Sequence, residues 1–169
     1  MRFTRNFDYS NGKTRTIYLL LTLLWVAVIF SFSLQPAATS SQVSRGVGHW
    51  LVDTFVPFLS ERLETMPVGQ LEMLHTLLRK AGHFSEYFIL GILAMLTVLQ
   101  TKLRYGKLSA LVFCVLVATV DETIQLFVSG RSGQVTDVIL DSVGALCGIA
   151  VLMGVQEWKY TWKKSVSQL

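Results

Sequence analysis

Four long apolar stretches, separated by polar segments, dominate the pattern of hydrophobic and polar positions along the chain. They run roughly over residues 17–34, 84–99, 108–128 and 135–155. A helix needs about 20 apolar residues to cross the hydrocarbon core of a bilayer, so each stretch is close to the length of one span. The pattern therefore predicts an all-α membrane protein, a four-transmembrane-helix bundle.

The first apolar stretch has two interpretations. Basic residues precede it and the small-residue segment QPAATSS, residues 35–41, follows it, which is also typical of a signal peptide. Its apolar run exceeds the signal-peptide core of about 7 to 15 residues. We expect a retained span, with a cleaved signal peptide as the alternative.

The segment between the first two spans, residues 35–82, is too apolar for a plain linker, and Pro57 and Pro67 divide it. The apolar positions that recur at helical spacing are Val43, Val47, Leu51 and Phe55 before Pro57, and Leu71, Leu74 and Leu78 after Pro67. This predicts an amphipathic helical outer loop that lies on the membrane or caps the bundle. A lid over a site is the alternative.

Composition agrees with a single membrane domain covering residues 1–169, because 51% of the residues are hydrophobic and only 15% are charged. The formal net charge is +4, yet the cations are not clustered with aromatic residues, which argues against nucleic-acid binding. Cys114 and Cys147 lie within apolar runs, where they are expected to pack as small hydrophobic residues.

The distribution of lysine and arginine predicts the orientation, because cytoplasmic loops carry the excess of basic residues. Ten of the 15 basic residues fall on the side that holds both termini, namely Arg2, Arg5, Lys13, Arg15, Lys102, Arg104, Lys107, Lys159, Lys163 and Lys164. The other side holds Arg45, Arg62, Arg79, Lys80 and Arg131. Both termini are therefore expected in the cytoplasm, and the loop 35–82 outside it.

Polar residues enter three of the spans on the same side. They are Lys80, His83, Glu86 and Tyr87 at the start of span two, Asp121, Glu122 and Gln125 near the end of span three, Arg131 in the connecting turn, and Asp137 and Asp141 at the start of span four. A charge near the centre of a membrane helix costs about 3 kcal/mol, so such residues are usually functional. We expect one polar layer in the outer third of the membrane, forming a cavity that opens outward.

Helical geometry predicts which of these side chains share a face. Asp121 and Gln125 are four residues apart and project together, whereas Glu122 points about 100° away and is expected to serve a separate contact.

On span four, the acids Asp137 and Asp141 lie on one stripe with Gly144 and Gly148. That glycine spacing lets another helix approach closely, so the stripe is expected to face the bundle interior.

The five acids of this layer outnumber the nearby cations. Lys80 or Arg131 is expected within salt-bridge distance of at least two of Glu86, Asp121, Asp137 and Asp141. The remaining negative charge requires protonation, hydration, or a bound cation or cationic ligand. A divalent metal suits carboxylates with a histidine, although neither the HxxE nor the DxxxD spacing specifies one.

Three segments together carry a family resemblance. They are FSFSLQPAATSSQVS, RKAGHFSEYFILG and DETIQLFVSGRSGQVTDVILDSVGALCG, within residues 30–148. These segments resemble the VanZ-like family of bacterial membrane proteins. The resemblance implies a multi-pass protein of the inner membrane, associated with low-level resistance to the glycopeptide teicoplanin. By position, its motif residues are the ten polar residues above together with Gly130 and Gly144.

Three functions remain open at this point. The first is a protein that binds a membrane lipid, a lipid-linked cell-wall precursor or a glycopeptide at the outer leaflet. The second is an enzyme acting on a phospholipid or polyprenyl-linked substrate, although no serine or cysteine nucleophile with an obvious base is evident in the polar layer. The third, a small transporter or proton relay, ranks last because no acid lies near the membrane midplane.

Overall fold

The computed structural model describes residues 12–39, 67–101, 103 and 105–166, together with the isolated positions 42, 46, 50 and 54. Four helices make up most of this part of the chain. They are α1 (Gly12–Ser33), α2 (Val68–Leu99), α3 (Gly106–Gln125) and α4 (Val135–Val166). Each is long and apolar enough to cross a membrane, and the described residues contain no strand. The predicted all-α bundle of four membrane helices is confirmed.

Helix α2 is much longer than the predicted second span. It begins at Val68, directly after Pro67, whose carbonyl accepts hydrogen bonds from the backbone N–H groups of Gln70 and Leu71. The repeat of Leu71, Leu74 and Leu78 therefore belongs to the first turns of α2 and does not form a separate amphipathic helix. No proline interrupts the chain between residues 68 and 99. The loop segment after Pro67 and the predicted span 84–99 therefore form one continuous helix.

Other predicted boundaries also shift. Helix α4 continues to Val166, beyond the predicted end of its span at residue 155, and α3 ends at Gln125, before residue 128. The apolar repeat of Val43, Val47, Leu51 and Phe55 lies outside the described residues.

The bundle is built on the interface between α2 and α4, which is the most extensive in the described structure. Helix α3 packs against both of them, and α1 lies against α2 and α3. The buried apolar side chains between the helices include Ile29, Leu90, Met95, Ala118 and Ile149. Many large apolar side chains on the outer faces are exposed, which is the surface that a bilayer would cover.

Three glycines allow the backbones of α2 and α4 to touch. A methyl group on Gly91 would overlap the carbonyl of Ala145, and one on Gly148 would overlap the carbonyl oxygen of Phe88. A methyl on Gly144 would lie 2.6 Å from the carbonyl oxygen of Phe84. The prediction that the Gly144–Gly148 stripe faces another helix is confirmed, and we call this contact the glycine seam.

Helix α1 is joined to the bundle by specific hydrogen bonds. The hydroxyls of Thr22 and Thr97 lie 2.9 Å apart, and the indole Nε1 of Trp25 donates to the backbone oxygen of Glu86 at 2.9 Å. These contacts attach α1 to α2.

Candidate functional site

Four buried side chains from three helices converge at one end of the bundle. His83 comes from α2, Asp121 and Glu122 from α3, and Asp141 from α4. One nitrogen or oxygen atom from each lies within 4.8 Å of the corresponding atoms of the other three. We call these four residues the polar cluster.

The connection between α3 and α4 explains why the acids meet. A short turn joins these helices, so the last turn of α3 and the first turns of α4 lie at the same level. Helix α2 passes beside them, and the contact of Gly144 with the Phe84 carbonyl fixes the position of α2 along the bundle axis. His83, the neighbour of Phe84, is thereby placed next to Asp141, with Nδ1 3.8 Å from Oδ1.

The turn between α3 and α4 depends on two glycines. Gly130 has φ of +74°, a backbone conformation that residues with a side chain rarely adopt. At Gly133 an added methyl would overlap the backbone oxygen of Glu122, so only glycine lets the turn fold back this closely. As a result, the N–H of Gln134 donates to Glu122 Oε2 at 2.8 Å.

Glu122 therefore has two roles, of which the sequence suggested one. The separate contact that the sequence predicted for Glu122 is the hydrogen bond that Oε2 accepts from the N–H of Gln134 in the turn. Its other oxygen, Oε1, accepts a hydrogen bond from Gln125 Nε2 at 3.2 Å and lies on the cluster side. The 100° separation from Asp121 did not keep the two carboxyls apart, because a glutamate side chain is long enough to turn back.

Gln125 organises the cluster from α3. Its amide nitrogen lies 3.4 Å from Asp121 Oδ2, 3.2 Å from Glu122 Oε1 and 3.3 Å from the hydroxyl of Ser33. A primary amide has only two N–H donors, so three acceptors share them. The amide thus holds two carboxyls and the end of α1 together.

Ser33 is a residue that sequence reasoning missed. It is buried at the last position of α1, beside Gln125, and it places a hydroxyl in the polar layer, contrary to expectation. The only signal in the sequence was its position in the FSFSLQ segment that carries the resemblance. Nothing in the spacing of that segment indicates a contact with α3.

Within the part of the chain that the structure describes, the polar cluster contains buried atoms without hydrogen-bond partners. They are both carboxylate oxygens of Asp141, Oδ1 of Asp121, Nδ1 of His83 and the hydroxyl of the adjacent Tyr87. More than about 90% of buried polar groups in proteins are paired, so this concentration is unusual. Asp121, Asp141 and Tyr87 are completely buried, and the Tyr87 hydroxyl lies near both acids.

Two cations border the cluster without neutralising it. Lys80 Nζ donates to Asp137 Oδ1 at 2.7 Å, so this pair forms at the rim. Arg131 donates from Nη2 to the backbone oxygen of Phe32 at 2.9 Å. The expectation that either cation pairs with at least two of the acids is wrong for the described residues, because the carbonyl at the end of α1 lies closer to Arg131.

Arg131 also interacts electrostatically with residues of α2 and α3. Burial lowers the pKa of its guanidinium from the usual value, with a further lowering from Arg79, while Asp121 and Glu122 act in the opposite direction. A guanidinium stays protonated at neutral pH, so Arg131 contributes a fixed positive charge near the cluster.

Glu86 is the remaining acid of the layer. It is half-buried and lies near Asp121 and Arg131, but it is not one of the four residues of the polar cluster. The structure thus brings together His83, Tyr87, Asp121, Glu122, Gln125 and Asp141, while Lys80, Glu86, Arg131 and Asp137 surround them.

The fold and this site define a class: a helical protein with four membrane-spanning helices and a buried acid–imidazole cluster at one end of the bundle. The chain belongs to the VanZ/LLP1 family, whose model matches residues 18–156. That range contains every residue of the polar cluster and both bordering cations. No curated protein and no solved structure matches the chain.

Proposed function

We propose that this protein binds the head group of a membrane lipid or lipid-linked cell-wall precursor through the polar cluster. In this proposal the cluster faces the outer surface of a bacterial cytoplasmic membrane. Binding there changes what a glycopeptide such as teicoplanin meets and confers low-level resistance. The observation that carries the proposal is the set of buried, unpartnered polar atoms at one end of an otherwise apolar bundle.

The distribution of basic residues supports this orientation. The exposed residues Lys159 and Lys163 lie on the last turns of α4, at the end of the bundle away from the cluster. Since basic residues favour the cytoplasmic side, the cluster would then face outward.

The chemistry of the site supports a polar head group with a phosphate. Lys80 and Arg131 border the cluster, and arginine in particular matches phosphate oxygens. The half-buried Glu86, near Asp121 and Arg131, can accept hydrogen bonds from ligand hydroxyl or ammonium groups. A lipid head group offers both kinds of partner.

An enzyme acting on a phospholipid or polyprenyl-linked substrate is the second candidate. The unpartnered His83 and Tyr87 beside the acids favour it, because an imidazole and a carboxyl held in one buried site can transfer protons. Ser33 adds a hydroxyl to the same layer.

The orientation is tested with single cysteines in a chain lacking Cys114 and Cys147. A cysteine at Ser132, in the turn beside the cluster, should react with an impermeant thiol reagent on intact cells. A cysteine at Gly106, at the opposite end of α3, should react only after the cells are opened. Labelling in the reverse order contradicts the proposed orientation.

The function is tested by teicoplanin susceptibility in a host that expresses the chain. Asp121→Asn and Arg131→Ala should each remove the tolerance that the wild type confers, at equal abundance in the membrane. Lys163→Ala is the matched control and should keep it. Mass spectrometry of the lipids separates the candidates: a lipid product formed by the wild type and absent in Asp121→Asn indicates catalysis, whereas unchanged lipids indicate binding.

A further inference from the structure

The spacing of the polar cluster is close to that of ligands around one ion. Donor atoms about 2.1 Å from a divalent cation lie about 3 to 4.2 Å from each other. The donor atoms of His83, Asp121, Glu122 and Asp141 already lie within 4.8 Å of one another. Small side-chain rotations would bring these four donor atoms to the distances of one coordination sphere.

The unpartnered atoms are a separate observation that points to a ligand. Asp141 is completely buried, yet neither of its oxygens accepts a hydrogen bond from a residue that the structure describes. The hydroxyl of Tyr87, also completely buried, likewise has no hydrogen-bond partner among the described residues. His83 Nδ1 is 3.8 Å from Asp141 Oδ1, which is too long for a hydrogen bond. An ion between these groups would satisfy atoms that the protein itself leaves unpaired.

The charge balance favours a cation as the ligand. The cluster brings three carboxyl groups into a buried site, where uncompensated negative charge is costly. Lys80 is paired with Asp137, and Arg131, which donates to the Phe32 carbonyl, supplies only one nearby positive charge against the three carboxyl groups. A divalent ion would compensate most of the charge of three carboxylates.

Outer hydrogen bonds already orient two of the acids. Gln125 holds Asp121 through Oδ2, which leaves Oδ1 directed to the cluster. The Gln134 N–H holds Glu122 through Oε2. Such supporting hydrogen bonds to carboxylate ligands are typical of metal sites in proteins.

We propose that His83, Asp121, Glu122 and Asp141 bind one divalent cation. Three oxygen ligands with one imidazole nitrogen match Mn²⁺ and Zn²⁺ best, because both ions accept mixed oxygen and nitrogen ligation. Tyr87, beside the acids, is placed to hydrogen-bond a water or ligand atom on the ion. The metal site deepens the proposed function, because a bound cation would attract the phosphate of a lipid head group. The biological role of the metal site rests on that proposed function.

The test measures the metal directly, without any lipid or antibiotic. Full-length protein in a mild detergent is stripped with EDTA, incubated with MnCl₂ or ZnSO₄, desalted and analysed by elemental mass spectrometry. The wild type should retain about one ion per chain. Asp141→Asn and Glu122→Gln should each weaken retention about 10-fold or more, whereas Glu72→Gln, which changes an exposed acid of α2, should not.

Thermal unfolding gives a second readout that does not need the variants. Bound metal stabilises only the folded state, so MnCl₂ or ZnSO₄ should raise the Tm of the stripped wild type and EDTA should reverse the rise. The proposal is overturned if the wild type retains no ion and its Tm does not respond. It is also overturned if folded Asp141→Asn and Glu122→Gln retain as much metal as the wild type. These measurements contain neither lipid nor antibiotic. A failure to bind metal can therefore be distinguished from a failure to confer teicoplanin tolerance.

Discussion

Two regions of the same helix pair, α2 and α4, are built on opposite principles. In the glycine seam the backbones touch at Gly91, Gly144 and Gly148, and there is no room for a single methyl group. In the polar cluster, one to two turns away, both oxygens of the completely buried Asp141 lack hydrogen-bond partners in the described part of the chain. One region is tightly packed, and the other leaves its hydrogen-bonding capacity unused.

The difference shows where stability and function are located. Lipid tails are as apolar as leucine, so membrane helices associate through close packing and hydrogen bonds. The glycine seam provides that packing. Buried acids in a membrane helix oppose stability and are usually retained for function, so the polar cluster is a cost that the seam offsets.

The largest expected effect comes from adding a methyl group to the seam. Gly148→Ala forces the new carbon into the Phe88 carbonyl and separates α2 from α4, which should cost about 3 kcal/mol. For a chain of this size that lowers the Tm by about 6 to 12 °C in detergent. Gly154→Ala is the matched control on α4, because a methyl there meets nothing within 4 Å. Equal Tm values for the two variants would contradict the conclusion that close packing at the glycine seam stabilises the protein.

A change in the polar cluster should act in the opposite direction. In the presence of EDTA, Asp141→Asn replaces a buried carboxyl group with an amide that cannot ionise, and its new N–H groups can donate to Asp121 or His83. The stability should rise by about 1 to 2 kcal/mol, measured as a higher Tm than that of the wild type in the same buffer. A large loss of stability in EDTA would mean that the cluster contributes to folding, and the contrast with the seam would fail.

The rim of the cluster should show an intermediate effect. Lys80→Met leaves the buried Asp137 without its partner, while the remaining exposure of position 80 lets water compensate in part. We expect a loss of about 1 kcal/mol, detected as a Tm decrease of about 2 to 4 °C. Lys163→Met, at an exposed position of α4, is the control and should leave the Tm unchanged.

The smallest effect is expected where α1 joins the bundle. Thr22→Val removes the hydroxyl that lies 2.9 Å from that of Thr97, and interhelical hydrogen bonds in membranes contribute about 0.6 kcal/mol. Thr119→Val is the control, because that hydroxyl is exposed and donates only to the Val115 carbonyl of its own helix. A Tm difference between the two variants measures the interhelical bond; no difference would mean that the contact adds nothing.

Much of the architecture could be predicted from the sequence because it depends on local composition and periodicity. The apolar stretches identified four helices, and the spacing of Gly144 and Gly148 identified the face that packs. The polar residues of the candidate site were also recognisable, since charged side chains in apolar helices are conspicuous. These features require only knowledge of one segment at a time.

The sequence by itself therefore determined the number of membrane helices, the packed face of α4 and all the named residues of the polar layer except Ser33. The tertiary structure alone decided which of those residues meet. It placed Ser33 of α1 beside Gln125 and turned Glu122 toward Asp121. It also placed Arg131 so that its guanidinium donates to the Phe32 carbonyl and not to an acid. The physical reason is that hydrogen-bond partners are chosen by distances between helices, which the glycine seam and the α3–α4 turn fix, and no periodicity within one helix contains that information.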